Sequence, residues 1–166
     1  FGGAWEGAAD GDVTLVEFFD YNCGYCRASL PDIERLLAED KKLKIVYREL
    51  PILGPESVEA AFASLAVAQH GSGYGAFHRA IYKSGRITTA SILDAAKKAG
   101  VDSNAIREAQ RSDAVKAEIS SNLQLQQSLQ LTGTPSWVVG DIVLNGAVGY
   151  DELKKAIAQA RAQKGG

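Results

Sequence analysis

Two cysteines, Cys23 and Cys26, are the only ones in the 166-residue chain, and two residues separate them in the stretch Cys23-Gly24-Tyr25-Cys26. A thiolate, not a thiol, attacks disulfides and leaves them, so a redox-active pair needs one sulfur whose pKa is held down. The flanking residues supply the means. An apolar, strand-like run from Val13 to Phe19 precedes the pair, and a helical pattern carrying Leu30, Ile33, Leu36 and Leu37 follows it. Cys23 is thereby expected at or just before the first helical turn, where unpaired N–H groups and the positive end of the helix dipole favour a negative sulfur. Cys26, one turn on and on the same face, is placed to attack a mixed disulfide formed at Cys23 and expel the substrate. Cys23 reads as the nucleophile and Cys26 as the resolving residue, with Gly24 and Tyr25 tuning the thiolate.

Other uses of the pair are weaker. A zinc site needs about four ligands, and beyond the cysteines the chain offers His70 and His78 with no second Cys-x-x-Cys. A disulfide closing so small a loop limits the unfolded state little, which makes it a poor staple for a chain that can build a core. Neither a metal nor another cofactor is expected. His70 and His78 read as helix-surface or cap groups. Arg27 reads either as a charge steadying the thiolate or as a solvent-facing side chain.

The elements that must hold this joint follow from hydrophobic periodicity. Residues 1 to 11, rich in Gly and Ala, read as a lead-in with a short edge strand near Trp5. The nearly continuous apolar run ending at Phe19 suggests an interior strand covered on both faces. Glu17 interrupts it, and a carboxylate there is either solvated or buried with a purpose, because an unpaired buried charge costs several kcal/mol. Helix periodicity continues from the cysteines to about Glu39, with a kink near Arg27 where Pro31 deletes a hydrogen bond. Leu43 to Leu50 alternates as a second strand, giving a βαβ unit with a parallel pair.

Between Glu56 and about residue 131 only helical patterns occur. They fall at about Glu56–His70, with Val58, Phe62, Leu65 and Ala66 on one face, and at Tyr74–Lys83. A third is capped by Thr88 or Thr89, a fourth by Asp102 or Ser103, and a fifth runs from about Asp113 to Leu131. The sheet resumes as a hairpin, Ser136–Val139 and Ile142–Gly146 around Gly140-Asp141. An amphipathic helix from about Tyr150 to Gln163 and a loose Lys164-Gly165-Gly166 end close the chain.

Composition narrows the function classes. The net charge is −2 and the apolar and charged shares are 46% and 23%. These values suit one folded unit, and the charge points away from nucleic acid. No apolar run approaches the roughly 20 residues that cross a bilayer. The chain opens on Phe1-Gly2-Gly3 and holds no methionine, so it reads as a processed or trimmed product with any leader or N-terminal extension out of view.

Phe18-Phe19-Asp20-Tyr21-Asn22-Cys23-Gly24-Tyr25-Cys26-Arg27, the later Gly133-Thr134-Pro135 and the order of elements together resemble the DsbA family of thioredoxin-fold proteins. The resemblance covers nearly the whole chain. It implies an α/β thioredoxin fold with a helical insertion, at about 56–131, between a βαβ half and a ββα half, all within one domain spanning 1–166. It further implies a periplasmic or otherwise exported bacterial disulfide oxidoreductase that works on cysteine-containing exported proteins and is served by a redox partner protein. Pro135 would then be a cis-proline packed opposite Cys23, and Thr134 the residue whose backbone pairs with substrate. Glu17 falls where DsbA-like proteins carry a buried acid, which would exchange a proton with Cys26; the partly solvated strand residue is the competing reading.

Two features depart from the DsbA pattern. Gly24-Tyr25 and Thr134 are similar to the DsbC isomerases and to the copper-resistance-linked ScsC proteins. Oxidase is favoured over isomerase because no oligomerisation stem is visible in the chain. An isomerase assembled through a missing N-terminal segment and a copper-handling thiol protein remain the alternatives.

Overall fold

The computed structural model describes residues 2–165; Phe1 and Gly166 lie outside the described residues. The edge strand β1 (Trp5–Gly7) is followed by β2 (Val13–Phe19), by two abutting helices α1 (Gly24–Ala28) and α2 (Leu30–Glu39), and by β3 (Leu43–Glu49). Five helices then intervene: α3 (Pro55–His70), α4 (Tyr74–Lys83), α5 (Thr89–Lys98), α6 (Ser103–Arg111) and α7 (Asp113–Ser128). The hairpin β4 (Ser136–Val139) and β5 (Ile142–Asn145) leads into α8 (Tyr150–Gly165). The five strands form one sheet in the order β1-β3-β2-β4-β5. β2 and β3 run parallel, while β1, β4 and β5 pair antiparallel with their neighbours.

β2 is the interior strand its apolar run predicted, because it is hydrogen-bonded to β3 on one side and β4 on the other. Its two faces enter different clusters. Leu15 and Phe19 join Ile45, Tyr47 and Trp137 with Ile33 of α2 and Leu153 and Ile157 of α8. Phe18 faces the other way, toward Leu50 and Leu131, with Val16, Leu125 and Leu129 packed beside them. Burying such side chains contributes about 1.5–3 kcal/mol each, which holds the end of β2, and so the cysteine joint, rigid.

The expected single bent helix is instead two segments that meet at Ser29, two residues beyond the predicted kink. Pro31 is the second residue of α2 and has no N–H for the Arg27 carbonyl. Ser29 closes the gap: its N–H reaches the Tyr25 and Cys26 carbonyls at 3.1 and 3.2 Å, and its hydroxyl donates to Tyr25 O at 2.9 Å.

Other boundaries shift for local reasons. In α3 the small residues Ala60, Ala61, Ala63 and Ala66 are buried together with Leu65, and this tight face packs on α5 and α6. Val58, expected on the inner face, is exposed instead. α7 stops at Ser128, three residues early, because Gln130 turns to a positive φ of 55°. Leu123 stays exposed, while Leu131 reaches the second cluster from the loop beyond. The hairpin turns through Gly140, whose φ of 59° suits a residue without Cβ. The end expected to be loose at Lys164 and Gly165 is helical through Gly165, anchored by Arg161 on Asp12 and Asp40 at 2.8 and 2.9 Å.

Candidate active site

At the C-terminal end of β2 the chain turns through Asp20-Tyr21-Asn22, with the Cys23 N–H bonded to Asp20 O at 3.1 Å. The turn delivers Cys23 as the N-cap of α1, with extended φ and ψ of −82° and 114°. Its sulfur occupies the place a serine or aspartate oxygen takes in an ordinary cap. Sγ accepts the Cys26 N–H at 3.1 Å, and as a thiol it donates to the Thr134 carbonyl at 3.4 Å. Both cysteines are free thiols and both are buried.

The two sulfurs are pushed apart in acidity. Cys23 is held down to about 6, chiefly by a side-chain hydrogen bond from Cys26, with the Thr134 side chain and the Cys26 and Tyr25 backbone N–H groups assisting against the cost of burial. Cys26 is driven well up, by burial first, then by the proton it shares with Cys23, then by Glu17. A thiolate at Cys23 beside a protonated Cys26 is the division of labour that nucleophilic exchange requires.

Glu17 is buried at 1% exposure, so the solvated reading of this residue falls. Its strand neighbours are Tyr47 of β3 and Trp137 of β4, and its Oε2 has no hydrogen-bond partner among the described residues. Burial, and after it the charge of Cys23, raises its carboxyl well above the ordinary range. On the facing loop the Thr134–Pro135 peptide bond is cis and Pro135 is buried. Cys23, Cys26, Glu17, Thr134 and Pro135 are thus gathered at one end of the sheet.

Arg27 takes neither of its two expected roles. Its Nε donates to Tyr82 O at 3.0 Å and its Nη2 to Gly85 O at 2.8 Å, which ties α1 to the end of α4. His78 corrects the surface reading, since it is 1% exposed while His70 is exposed. Its Nδ1 lies 2.8 Å from the Tyr21 hydroxyl, and the rings of Phe19, Tyr47 and Tyr82 surround it at centroid separations of 4.8, 4.3 and 5.1 Å. Burial, helped by Arg79, pushes its pKa down to about 3, so it is a neutral core histidine. The signal was present in the sequence: Tyr74, His78, Ile81 and Tyr82 recur at i, i+4, i+7 and i+8, one helical face.

Buried groups absent from the sequence reading complete the surroundings. Tyr21, Ser64 and Tyr74 form a hydroxyl cluster, with Tyr21 donating to Ser64 at 3.3 Å and Ser64 and Tyr74 sharing a bond of 2.7 Å. Glu49, opposite Phe19 in the β2–β3 register, is 2% exposed, and burial raises its carboxyl well above the ordinary range against a hydrogen bond from Ser64. Among the described residues, no group of three or more His, Cys, Asp or Glu side chains is arranged to hold a metal ion. No helix among them is long and apolar enough to cross a membrane.

A family model described as the DSBA-like thioredoxin domain matches residues 14–158. Among solved structures, the chain is similar to a thioredoxin-like oxidoreductase from Silicibacter pomeroyi DSS-3, at 38% identity and a TM-score of 0.86, covering 95% of this chain and 91% of that one. Among curated relatives, it is 27% identical over 161 residues to the Na(+)/H(+) antiporter NhaA 1 of Salinispora arenicola, covering 95% of this chain and 24% of that protein. The chain thus spans about a quarter of the length of that relative. It is also 27% identical over 164 residues to the probable disulfide bond formation protein D of Bacillus anthracis, covering 91% of this chain and 75% of that protein.

Proposed function

We propose that the chain, which belongs to the DSBA-like thioredoxin domain family, is a thiol–disulfide oxidoreductase that runs as an oxidase, passing a Cys23–Cys26 disulfide to cysteine-containing exported proteins in the bacterial envelope. The observation that carries the reading is the Cys23 sulfur in the N-cap of α1, accepting the Cys26 N–H at 3.1 Å. A thiolate stabilised in this way is a good leaving group, and it stabilises the reduced pair, so the oxidised pair is a ready electron acceptor.

In the proposed cycle a substrate thiolate attacks Cys23 Sγ. The Cys23–Cys26 bond breaks, and its electron pair leaves on Cys26. Burial makes a Cys26 thiolate costly, so it takes a proton from the Glu17 carboxyl. A second substrate thiolate then attacks the substrate sulfur of the mixed disulfide and releases Cys23 as a thiolate. Two electrons have passed from substrate to the pair, and a redox partner protein removes them. Thr134 and Pro135 would hold the extended substrate backbone beside Cys23, as backbone edges commonly bind peptides.

The test is recovery of activity by reduced, unfolded lysozyme. The wild-type disulfide form should restore it and Cys23→Ser should not; full activity in Cys23→Ser would overturn the assignment. Gly24-Tyr25 and Thr134, similar to the DsbC isomerases, favour a second reading as an isomerase. Reactivation of scrambled ribonuclease by the reduced protein, without net oxidation, would select it.

A further inference from the structure

Asp20, three residues before Cys23, takes no part in the exchange steps above, yet it is 1% exposed. A carboxylate withdrawn this far from water costs several kcal/mol unless donors replace the water. Four converge on it. Oδ1 accepts the Asn22 N–H at 2.7 Å and the Ser57 hydroxyl at 2.6 Å, and Oδ2 accepts the N–H groups of Ile52 and Leu53 at 2.9 and 3.0 Å. These donors come from the turn itself, from the loop after β3 and from the first turn of α3. The side chain is therefore held from three directions, and the backbone it springs from is held with it.

That backbone touches both cysteines. The Asp20 carbonyl accepts the Cys23 N–H at 3.1 Å, and the Tyr82 hydroxyl, from α4, donates to the same oxygen at 3.0 Å. On the amide side the Asp20 N–H faces the Cys26 sulfur: burial drives that thiol up, and this N–H opposes the rise. Cys23 and Cys26 thus meet the carbonyl and the amide of one residue, in addition to the 3.1 Å bond from the Cys26 N–H to Cys23 Sγ. Hydrogen bonds weaken steeply as their geometry departs from the ideal, so a small shift of Asp20 reaches both sulfurs.

We propose that Asp20 is a positioning residue for disulfide exchange, its carboxylate anchoring the turn that sets Cys23 against Cys26. The proposal rests on the oxidoreductase reading above and adds to it a group outside the reacting atoms. Two roles for the carboxylate differ in sign. Acting through its charge alone, it would oppose a thiolate at Cys23, so neutralising it would lower the Cys23 midpoint. Acting as an anchor, it favours the thiolate by holding Cys23 in the cap of α1, so loosening it raises the midpoint. The four donors offset the charge where it sits, and they leave geometry as the property that reaches Cys23.

Asp20→Asn tests the sign. The amide presents one acceptor oxygen where the carboxylate has two, so at least one backbone N–H among those of Asn22, Ile52 and Leu53 loses its partner. Thiolate absorbance of the reduced variant is expected to show the Cys23 midpoint raised by about half a pH unit or more, with the reduction potential of the pair lowered alongside it. An unchanged or lowered midpoint would overturn the inference, whatever the variant's stability. Ser57→Ala keeps the charge and removes one donor, so it decides alone should Asp20→Asn fail to fold. Amide exchange of Cys23, whose N–H rests on Asp20, is expected to quicken in it by about fivefold or more relative to the amides of β4. Equal quickening at both places, or none, would show no anchor at the cysteines and would overturn the inference. Neither readout needs turnover, so both can fail while the oxidoreductase reading stands. Wild-type protein inert toward a reduced polypeptide would overturn that reading and the inference with it.

Discussion

Cys23 caps the helix that carries Cys26: its Sγ accepts the Cys26 amide N–H at 3.1 Å, while Cys26 itself is 1% exposed and driven toward its thiol form. One residue is thereby the stabilised thiolate and the other the proton-bearing thiol, three positions apart on the same turn. With Cys23 held down to about 6, the thiolate fraction of the reduced protein should rise through a midpoint near pH 6. Alkylation of Cys23 by iodoacetamide should follow the same curve and slow below it. Absorbance of the thiolate in the ultraviolet, compared between wild type and Cys26→Ala, measures it; a wild-type midpoint near the ordinary cysteine value of about 8.5 would contradict the capping account.

The Thr134 side chain assists the Cys23 thiolate, so Thr134→Val, which keeps the shape and removes the hydroxyl, should raise the Cys23 midpoint. The same thiolate absorbance titration reads the shift. An unchanged or lowered midpoint would mean that the hydroxyl plays no part.

Glu17 should show both a kinetic and a stability signature. As the proton donor and acceptor for Cys26, its replacement in Glu17→Gln should slow the step in which Cys26 leaves or attacks, by about 10²-fold, with the initial alkylation of Cys23 much less affected. Stopped-flow measurement of mixed-disulfide resolution separates the two steps, and equal slowing of both would argue for a merely structural role.

The stability effect has a definite sign. Burial raises Glu17 and Glu49 above their unfolded value of 4.5. Above that pH the unfolded chain releases protons that the folded protein still holds, so stability is lost as pH rises, by about 1.4 kcal/mol per pH unit for each group until it ionises. Denaturant midpoints for Glu17→Gln and Glu49→Gln should therefore gain on wild type between pH 5 and pH 8. A constant difference across that range would contradict the buried, protonated assignment.

His78 acts in the opposite sense. Its pKa is pushed down to about 3 from an unfolded 6.5, so below pH 6.5 the unfolded chain takes up a proton that the folded protein refuses. The stability His78 contributes is fully present above 6.5 and declines on acidification toward 3, again by about 1.4 kcal/mol per pH unit. His78→Phe, suited to the surrounding rings, should lose less stability than wild type between pH 6.5 and 4. An identical acid dependence in the two proteins would show that the imidazole is hydrated or already charged.

The strands, the hairpin turn and the caps at Thr88 and Asp102 were legible because each rests on local chemistry: alternation, a glycine turn, a side-chain oxygen before a helix. The cysteine pair was legible for the same reason, since its spacing and its strand-to-helix context lie within one short stretch. What escaped depends on partners distant in the chain. Asp20 reads as an unremarkable polar residue until Ile52, Leu53 and Ser57 arrive from more than 30 positions away. His78 reads as a helix-surface or cap group because histidine is tolerant of both settings, and only its helical register with Tyr74 and Tyr82 tells them apart. Val58 misleads in the other direction, because an apolar residue at helical spacing need not be covered when small alanines already seat the helix.

The central claim is that the cap at Cys23 makes the pair an electron acceptor, and the reduction potential of the Cys23–Cys26 couple, measured by equilibration in glutathione buffers, tests it most directly. A stabilised Cys23 thiolate predicts a potential at or above about −180 mV, toward the roughly −120 mV of a strong oxidant. A value near −270 mV, that of a thioredoxin-like reductant, would contradict the account.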